Sequence, residues 1–401
     1  MTGATMATTT PGRSHRQWRL PRTPDSEEQQ AFRRLVAAFL EREMVPHEPH
    51  WRENGRIDKN LFAAAGAAGL LGFGAPTQLG GLGQADFRLN AILREEAARA
   101  GVSASAARLA VVNDVCLPYF LVAPDPVRRT WVPAICQGAA VPAIAMTEPS
   151  AGSDLAGIQC RARRAGDHYL LDGAKTMISN AHNADVIVVA AKTDPEAGAR
   201  GVTLLVVDAT SPGVTRGRTL KKAGQPSSDL GEFFFDSVHV PTDHLIGAEG
   251  TGFGQLMANL PRERLSIALD AIYQAEATFA QTLAYTRDRY AFGQPVASFQ
   301  ANKFTLAELR TELDIAHCFL DAQIAAINTG QLSAEAAAQA KWWCTELCLR
   351  VVDRCVQLHG GYGYMDEYPV SRAWRDTRVM TLYGGTTEVM KEIIGRGLGI
   401  R

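Results

Sequence analysis

The chain has 401 residues, 46% of them hydrophobic and 21% charged, which is room for two or three domains in an ordinary globular composition. With a formal net charge of −1 it carries no basic field to hold nucleic acid or an anionic membrane surface. The seven cysteines form no CxxC pair, and Cys344 and Cys348 have no histidine or third cysteine at metal-ligand spacing, so a reduced compartment and no metal are expected.

Residues 1–24 read as a disordered tail. The first part is rich in Thr and Arg and carries no acid, so a transit peptide to the mitochondrial matrix is the alternative reading. Arginine far outnumbers lysine, which leans towards a bacterial, cytoplasmic protein. Residues 25–143 read as an N-terminal helical domain. EEQQAFRRLVAAFLEREMVP has helical spacing and stops at Pro46, and LNAILREEAARAG stops at Gly101. The charge-free run after Asn60 is cut by Gly66, Gly69, Gly72, Gly74 and Pro76, which makes it a short helix and a loop, not a membrane span.

Residues 144–245 read as a middle β domain. HYLLDG, DVIVVAAKTD, GVTLLVVDA and GEFFFDSVHVP are short β-branched or aromatic runs bounded by turn residues, as in a mostly antiparallel sheet. No helices alternate with them, so GTGFG at 250–254 lacks the strand-turn-helix setting of a dinucleotide loop. Residues 246–401 read as a C-terminal four-helix bundle, its helices closed by Gly330 and by Gly360 and Gly361. The fold class is α+β, mainly α.

Four segments carry candidate chemistry. In AMTEPSAGSD, Thr147 and Ser153 offer hydroxyls in a glycine-containing turn. In GAKTMISNA, Met177 and Ser179 face one side if the segment is a strand. RDRYAFGQPVASFQ places Arg289, Phe292 and Gln300 at the end of a long helix. QLHGGYGYMDEYPVSRAWRDTRVMTLYGGTTEVMKE, from Gln357 to Glu392, packs two glycine turns and a Thr-Thr-Glu patch into one span.

In this order, and with LPRERLSIA and KWWCTEL, these segments resemble the acyl-CoA dehydrogenase family, and its long-chain branch above all. The resemblance covers nearly the whole chain after residue 30. It implies one FAD per subunit of a homotetramer or homodimer, an acyl-CoA or acyl-carrier-protein thioester as substrate, and an electron-transfer flavoprotein as acceptor. It assigns Met146, Thr147, Ser153, Met177, Ser179, Thr386 and Glu388 to the flavin of their own subunit. It assigns Arg289, Phe292, Gln300, Gln357, Gly360 and Gly361 to a neighbour's FAD. Met177 and Ser179 depart from the family's frequent aromatic residue and threonine at these places.

One departure matters more. Many members carry a catalytic glutamate after the tyrosine of the last turn, whereas here Tyr383 is followed by Gly384. The resemblance to branches with LPRERL-type helices assigns the base to Glu263. It gives Arg264 and Gly385 to the substrate pocket, and the backbone N–H of Gly384 to the thioester oxygen. On pattern alone Glu263 is a first-turn helix glutamate after Pro261. Glu388 is the rival carboxylate. A flavin monooxygenase or oxidase of the same fold, and a flavin-poor scaffold partner, are the other readings.

Overall fold

The structure, a computed structural model, describes residues 22–400. Most of the expected N-terminal tail lies outside the described residues. At its end Arg22 is anchored, its Nη1 donating to Glu95 Oε1 at 3.0 Å.

The first layer is helical: α1 (Glu27–Glu43), α2 (Glu48–Asn54), α3 (Asn60–Ala67), α4 (Arg88–Ala100), α5 (Ser103–Ala110), α6 (Leu117–Leu121) and α7 (Asp125–Cys136). Ser26 and Gln29 cap each other's backbone N–H at the start of α1, which satisfies donors the helix cannot use internally. The charge-free run after Asn60 is α3 and an irregular loop with one short 3-10 turn at Thr77–Leu79. Between α5 and α6 the chain winds more loosely, in a π turn over Val111–Cys116. Such turns shift the side chains that follow them around the helix and recur at functional sites.

The middle layer is a sheet of β1 (Pro142–Ala145), β2 (Arg161–Ala165), β3 (His168–Ser179), β4 (Val186–Lys192), β5 (Val202–Asp208), β6 (Val214–Arg216), β7 (Leu230–Pro241) and β8 (Leu245–Ile246). Its order is β6-β7-β3-β2-β4-β5-β8, with β1 also paired to β4. Pairing is antiparallel except where β4 meets β1 and β2. Strand β4 is buried throughout, and its alternation serves two cores. Val186, Val188 and Ala190 pack with the helical layer, while Ile187, Val189 and Ala191 pack with Tyr169, Leu171 and Phe233. This places the C-terminal end of β1, with Met146 and Thr147 just beyond it, beside the end of β3.

The last layer holds the hairpin β9 (Tyr290–Ala291) and β10 (Gln294–Pro295), then α8 to α12 in chain order: α8 (Gly252–Asp288) precedes the hairpin, and α9 (Gln300–Asn328), α10 (Ala334–His359), α11 (Pro369–Thr377) and α12 (Thr387–Gly397) follow it. The long helices α8, α9 and α10 share one core, into which α4 also inserts Ala91 and Ala98, and α12 packs on α10. Helix α8 runs for 37 residues with Pro261 inside it. Glu263 therefore sits in a helix interior, and the first-turn pattern inferred from Pro261 does not hold. The packing of α4 and the π turn against α8 keeps the helix continuous through the proline.

Candidate active site

Glu263 is 7% exposed, and burial pushes its carboxyl up to about 7 from the usual carboxylate range. The rise is held in check by neighbours. Asn259, one helical turn earlier, donates its Nδ2 to Glu263 Oε1 at 3.0 Å, and the adjacent Arg264 charge favours the carboxylate. Asn259 Nδ2 also reaches the Val115 carbonyl of the π turn at 3.4 Å. The Tyr119 hydroxyl is buried close to the same carboxylate but outside hydrogen-bonding geometry. Below the carboxylate, Asp114 is clamped by Arg94 at 2.6 Å and by the Ser266 hydroxyl at 2.7 Å. Arg94 also meets Asp270 at 3.0 Å. This lattice ties α4, the π turn and α8 together, and with them the position of Glu263.

The turn at Gly384 and Gly385 comes from the far end of the chain to the same place. A Cβ on Gly384, at φ +67°, would lie 2.3 Å from Ile267 Cδ1, and one on Gly385, at φ +100°, would lie 2.5 Å from Met390 Cε. Both positions thus require glycine for conformation, and a side chain at either would have to displace the end of Ile267 or Met390. Ile267 stands one helical turn beyond Glu263 on α8. It fills the space that a side chain at 384 would need. Two buried cations fix the turn. Arg264 Nε donates to the Gly384 carbonyl at 3.3 Å and Lys341 Nζ to the Gly385 carbonyl at 2.6 Å. Burial brings the Lys341 ammonium down to about 8. Among the described residues the Gly384 N–H has no acceptor, so it is available to one from outside.

Thr386 caps α12, its hydroxyl accepting from Val389 N–H at 3.4 Å. Glu388 is exposed in the first turn of that helix. The backbone N–H groups and the Thr386 hydroxyl hold its carboxyl below the usual range. The two candidate carboxylates are therefore shifted in opposite directions.

On the sheet side, Met177 sits at a bulge with φ +58°. Met177 is exposed and Ser179 half-buried, while Ile178 between them is buried, as strand alternation requires. Thr176 N–H donates to the Thr147 carbonyl at 2.9 Å, which joins the two candidate segments. The joint is braced by a pair that sequence reasoning did not single out. Lys175 Nζ meets Glu148 Oε1 at 2.8 Å and the Met146 carbonyl at 2.9 Å, and Glu148 also accepts from the Gln159 and Cys160 N–H groups. The acid of TEPSAG and the lysine of GAKTM were the available signal. Among the described residues no protein group bonds the hydroxyls of Thr147, Ser153 or Ser179.

The remaining candidates form a separate place. Arg289, Gln357, Gly360 and Gly361 line an open cleft of about 670 Å³ with Tyr285, His359 and Tyr362. The Arg289 guanidinium stacks over the Tyr362 ring at 5.8 Å. A Cβ at Gly360 or Gly361 would meet nothing within 4 Å. Phe292, 96% exposed, and the exposed Gln300 stand outside that lining.

Matches to known proteins bear on what such a site does. Residues 26–139, 143–238 and 250–399 match the N-terminal, middle and C-terminal domains of acyl-CoA dehydrogenase. The chain belongs to the acyl-CoA dehydrogenase family. The long-chain specific acyl-CoA dehydrogenase of Sus scrofa mitochondria is 39% identical over 374 residues, 92% of this chain and 86% of that protein. A Geobacillus kaustophilus acyl-CoA dehydrogenase crystal structure superposes with a TM-score of 0.92 at 41% identity, covering 95% of this chain and 100% of that one. The butyryl-CoA dehydrogenase of Megasphaera elsdenii superposes at 0.88 with 31% identity, covering 94% and 99%.

As an acyl-CoA dehydrogenase the chain is an FAD-dependent oxidoreductase. Its residues fit that cofactor: unpartnered hydroxyls and an exposed thioether offer a polar wall for a flat ring, and a cation, an amide and bare glycine backbone suit a pyrophosphate. Among the described residues no helix is long and apolar enough to cross a membrane, and no cluster of metal-ligating side chains occurs.

Proposed function

We propose that this acyl-CoA dehydrogenase introduces a trans double bond between Cα and Cβ of an acyl thioester, with Glu263 as the base. The observation that carries the reading is a dry carboxylate with its pKa brought to about 7, one helical turn from the Ile267 that abuts a glycine turn with a free N–H. A general base works best when its pKa lies near the working pH. Ile267 supports this reading: its end occupies the volume that a side chain at 384 would enter, and α8 supplies both the acid and the isoleucine.

Thr147, Ser153, Met177, Ser179 and Thr386 would hold the flavin of their own subunit, where Met146 contributes backbone and Glu388 sits at the rim. Arg289, Phe292, Gln300, Gln357, Gly360 and Gly361 would meet the FAD of a neighbour in a homotetramer or homodimer. Bound FAD supplies the hydride acceptor. The chain's own work is to place the thioester and move a proton. The Gly384 N–H donates to the thioester oxygen as negative charge develops there. Arg264 and Lys341 hold the turn by its carbonyls, so that donor is fixed before substrate arrives. Glu263 then takes the α-proton. The acyl group is carried on CoA or on a carrier protein, electrons leave to an electron-transfer flavoprotein, and the setting is a bacterial cytoplasm.

Anaerobic addition of acyl-CoAs of graded length and branching, and of carrier-bound acyl groups, to the FAD-loaded protein tests the reading. Bleaching of the flavin with formation of a 2-enoyl thioester is expected. A flavin that stays oxidised with every thioester but is reduced by a nitroalkane contradicts it.

A further inference from the structure

Arg108, on α5, stands apart from the other buried cations of this region. Arg94 is held by two carboxylates, Asp114 at 2.6 Å and Asp270 at 3.0 Å. Arg108 is as deeply buried, at 7% exposure. It makes only one long hydrogen bond, from Nη1 to the Asp229 backbone carbonyl at 3.4 Å, and its Nε has no partner. A guanidinium with a single long hydrogen bond in a dry site recovers little of the hydration it forfeits. Burial accordingly lowers its affinity for the proton it must keep.

Its surroundings place it. Asp229, whose charge offsets the burial most, and Tyr383, Asp270 and Cys116 lie within its electrostatic reach. Tyr383 immediately precedes Gly384, and Cys116 lies within reach of Glu263. On the Glu263 and Gly384 reading, an acyl chain entering past that turn would continue towards this guanidinium. Two more buried oxygens there are unpartnered, Asp229 Oδ1 and Asn180 Oδ1, although Asn180 Nδ2 donates to the Arg108 carbonyl at 3.2 Å. A pocket for a plain hydrocarbon would be lined by apolar groups and would not strand a charged donor.

We infer that Arg108 is a specificity residue that receives an oxygen acceptor on the acyl group of the substrate, beyond the carbons that react. The class of substrate is an acyl thioester carrying a hydroxyl, oxo or carboxyl group along its chain. The unpaired Asp229 oxygen next to it favours a hydroxyl, which can accept from Arg108 and donate to Asp229. The inference rests on the Glu263 and Gly384 reading, since that reading sets the direction of the chain.

The test compares CoA thioesters of one chain length, unsubstituted or with the oxygen walked outwards from Cγ as hydroxyl, oxo or carboxyl. Flavin bleaching is read as kcat/KM in the FAD-loaded wild type, Arg108→Met and Arg108→Lys. Binding of the same series with both α-hydrogens replaced by methyl, read by calorimetry, gives a second readout independent of turnover. At one position of the oxygen, wild type is expected to prefer the substituted chain, and Arg108→Met to lose about tenfold to a hundredfold of that preference, with Arg108→Lys in between. FAD content and melting temperature show that Arg108→Met has folded. An oxygenated-to-plain ratio that is the same in wild type and Arg108→Met, in rate and in binding, overturns the inference and means that water satisfies the guanidinium. That result leaves Glu263 untouched. If no thioester bleaches the flavin while the blocked thioesters still show the Arg108-dependent preference, the dehydrogenation reading fails and the subsite stands.

Discussion

Glu263 and Glu388 are the same side chain near the same glycine turn, and the protein treats them in opposite ways. Glu263 lies inside a helix beside the π turn, with one amide donor and one neighbouring cation. Burial outweighs both, and its carboxyl rises to about 7. Glu388 lies at a helix start, in water, where free N–H groups favour its charge and lower its pKa. The lesson is that environment, and not proximity to the turn in sequence, separates an acid that can exchange a proton near neutrality from one that stays ionised.

The comparison breaks most sharply at the buried carboxylate. Glu263→Gln is expected to keep FAD, seen in its visible spectrum, and to lose turnover by about 10²–10⁴-fold, measured with an acyl-CoA found to bleach the wild type. Unchanged turnover removes Glu263 from the role. Next comes the turn it faces. Gly384→Ala forces a side chain into a left-handed backbone and against Ile267, at a stability loss of about 1–3 kcal/mol. Thermal unfolding should show this, and should show less of it when Ile267→Ala is present as well. An additive double mutant would mean that Ile267 does not occupy the contested volume.

A subtler change sharpens the comparison. Asn259→Leu removes the amide that favours the Glu263 carboxylate. The Glu263 pKa then rises, so the pH at which kcat/KM reaches half its maximum moves up by about one unit. A downward or absent shift contradicts the hydrogen bond. The smallest effect belongs to the exposed acid: Glu388→Gln should change FAD affinity by less than about tenfold and leave the half-maximal pH where it was.

Much of the architecture could be read from the residues. Each of the runs HYLLDG, DVIVVAAKTD, GVTLLVVDA and GEFFFDSVHVP falls in a strand, because β-branched runs between turn residues have few other ways to bury themselves. The ends of α4 at Gly101 and of α9 near Gly330 follow from glycines at positive φ. The start of α8 was harder to see, since Pro261 looks like a helix opening and only tertiary packing carries the helix through it. The strands β1, β2, β6 and β8 are short, and their pattern is too brief to register.

At the site, the turn residues and Glu263 came from resemblance. Their support did not. Lys341, Lys175, Glu148, Asn259, Ile267 and Arg108 matter through contacts between segments far apart in the chain. A lysine in KWWCTEL gives no local sign that it will hold the carbonyl of Gly385, and an arginine in SASAARLA reads as an ordinary polar face until the structure buries it.

The most direct test of the account is the pH dependence of flavin reduction by a good acyl-CoA under kcat/KM conditions, where the free enzyme's base is reported. The sign follows from the chemistry: the base must be a carboxylate, so the rate should climb with pH and reach half its maximum at about 7, and this limb should vanish in Glu263→Gln. A rate that is already maximal near pH 5, or a limb that survives intact in Glu263→Gln, would contradict the claim that a buried carboxylate on α8 takes the proton.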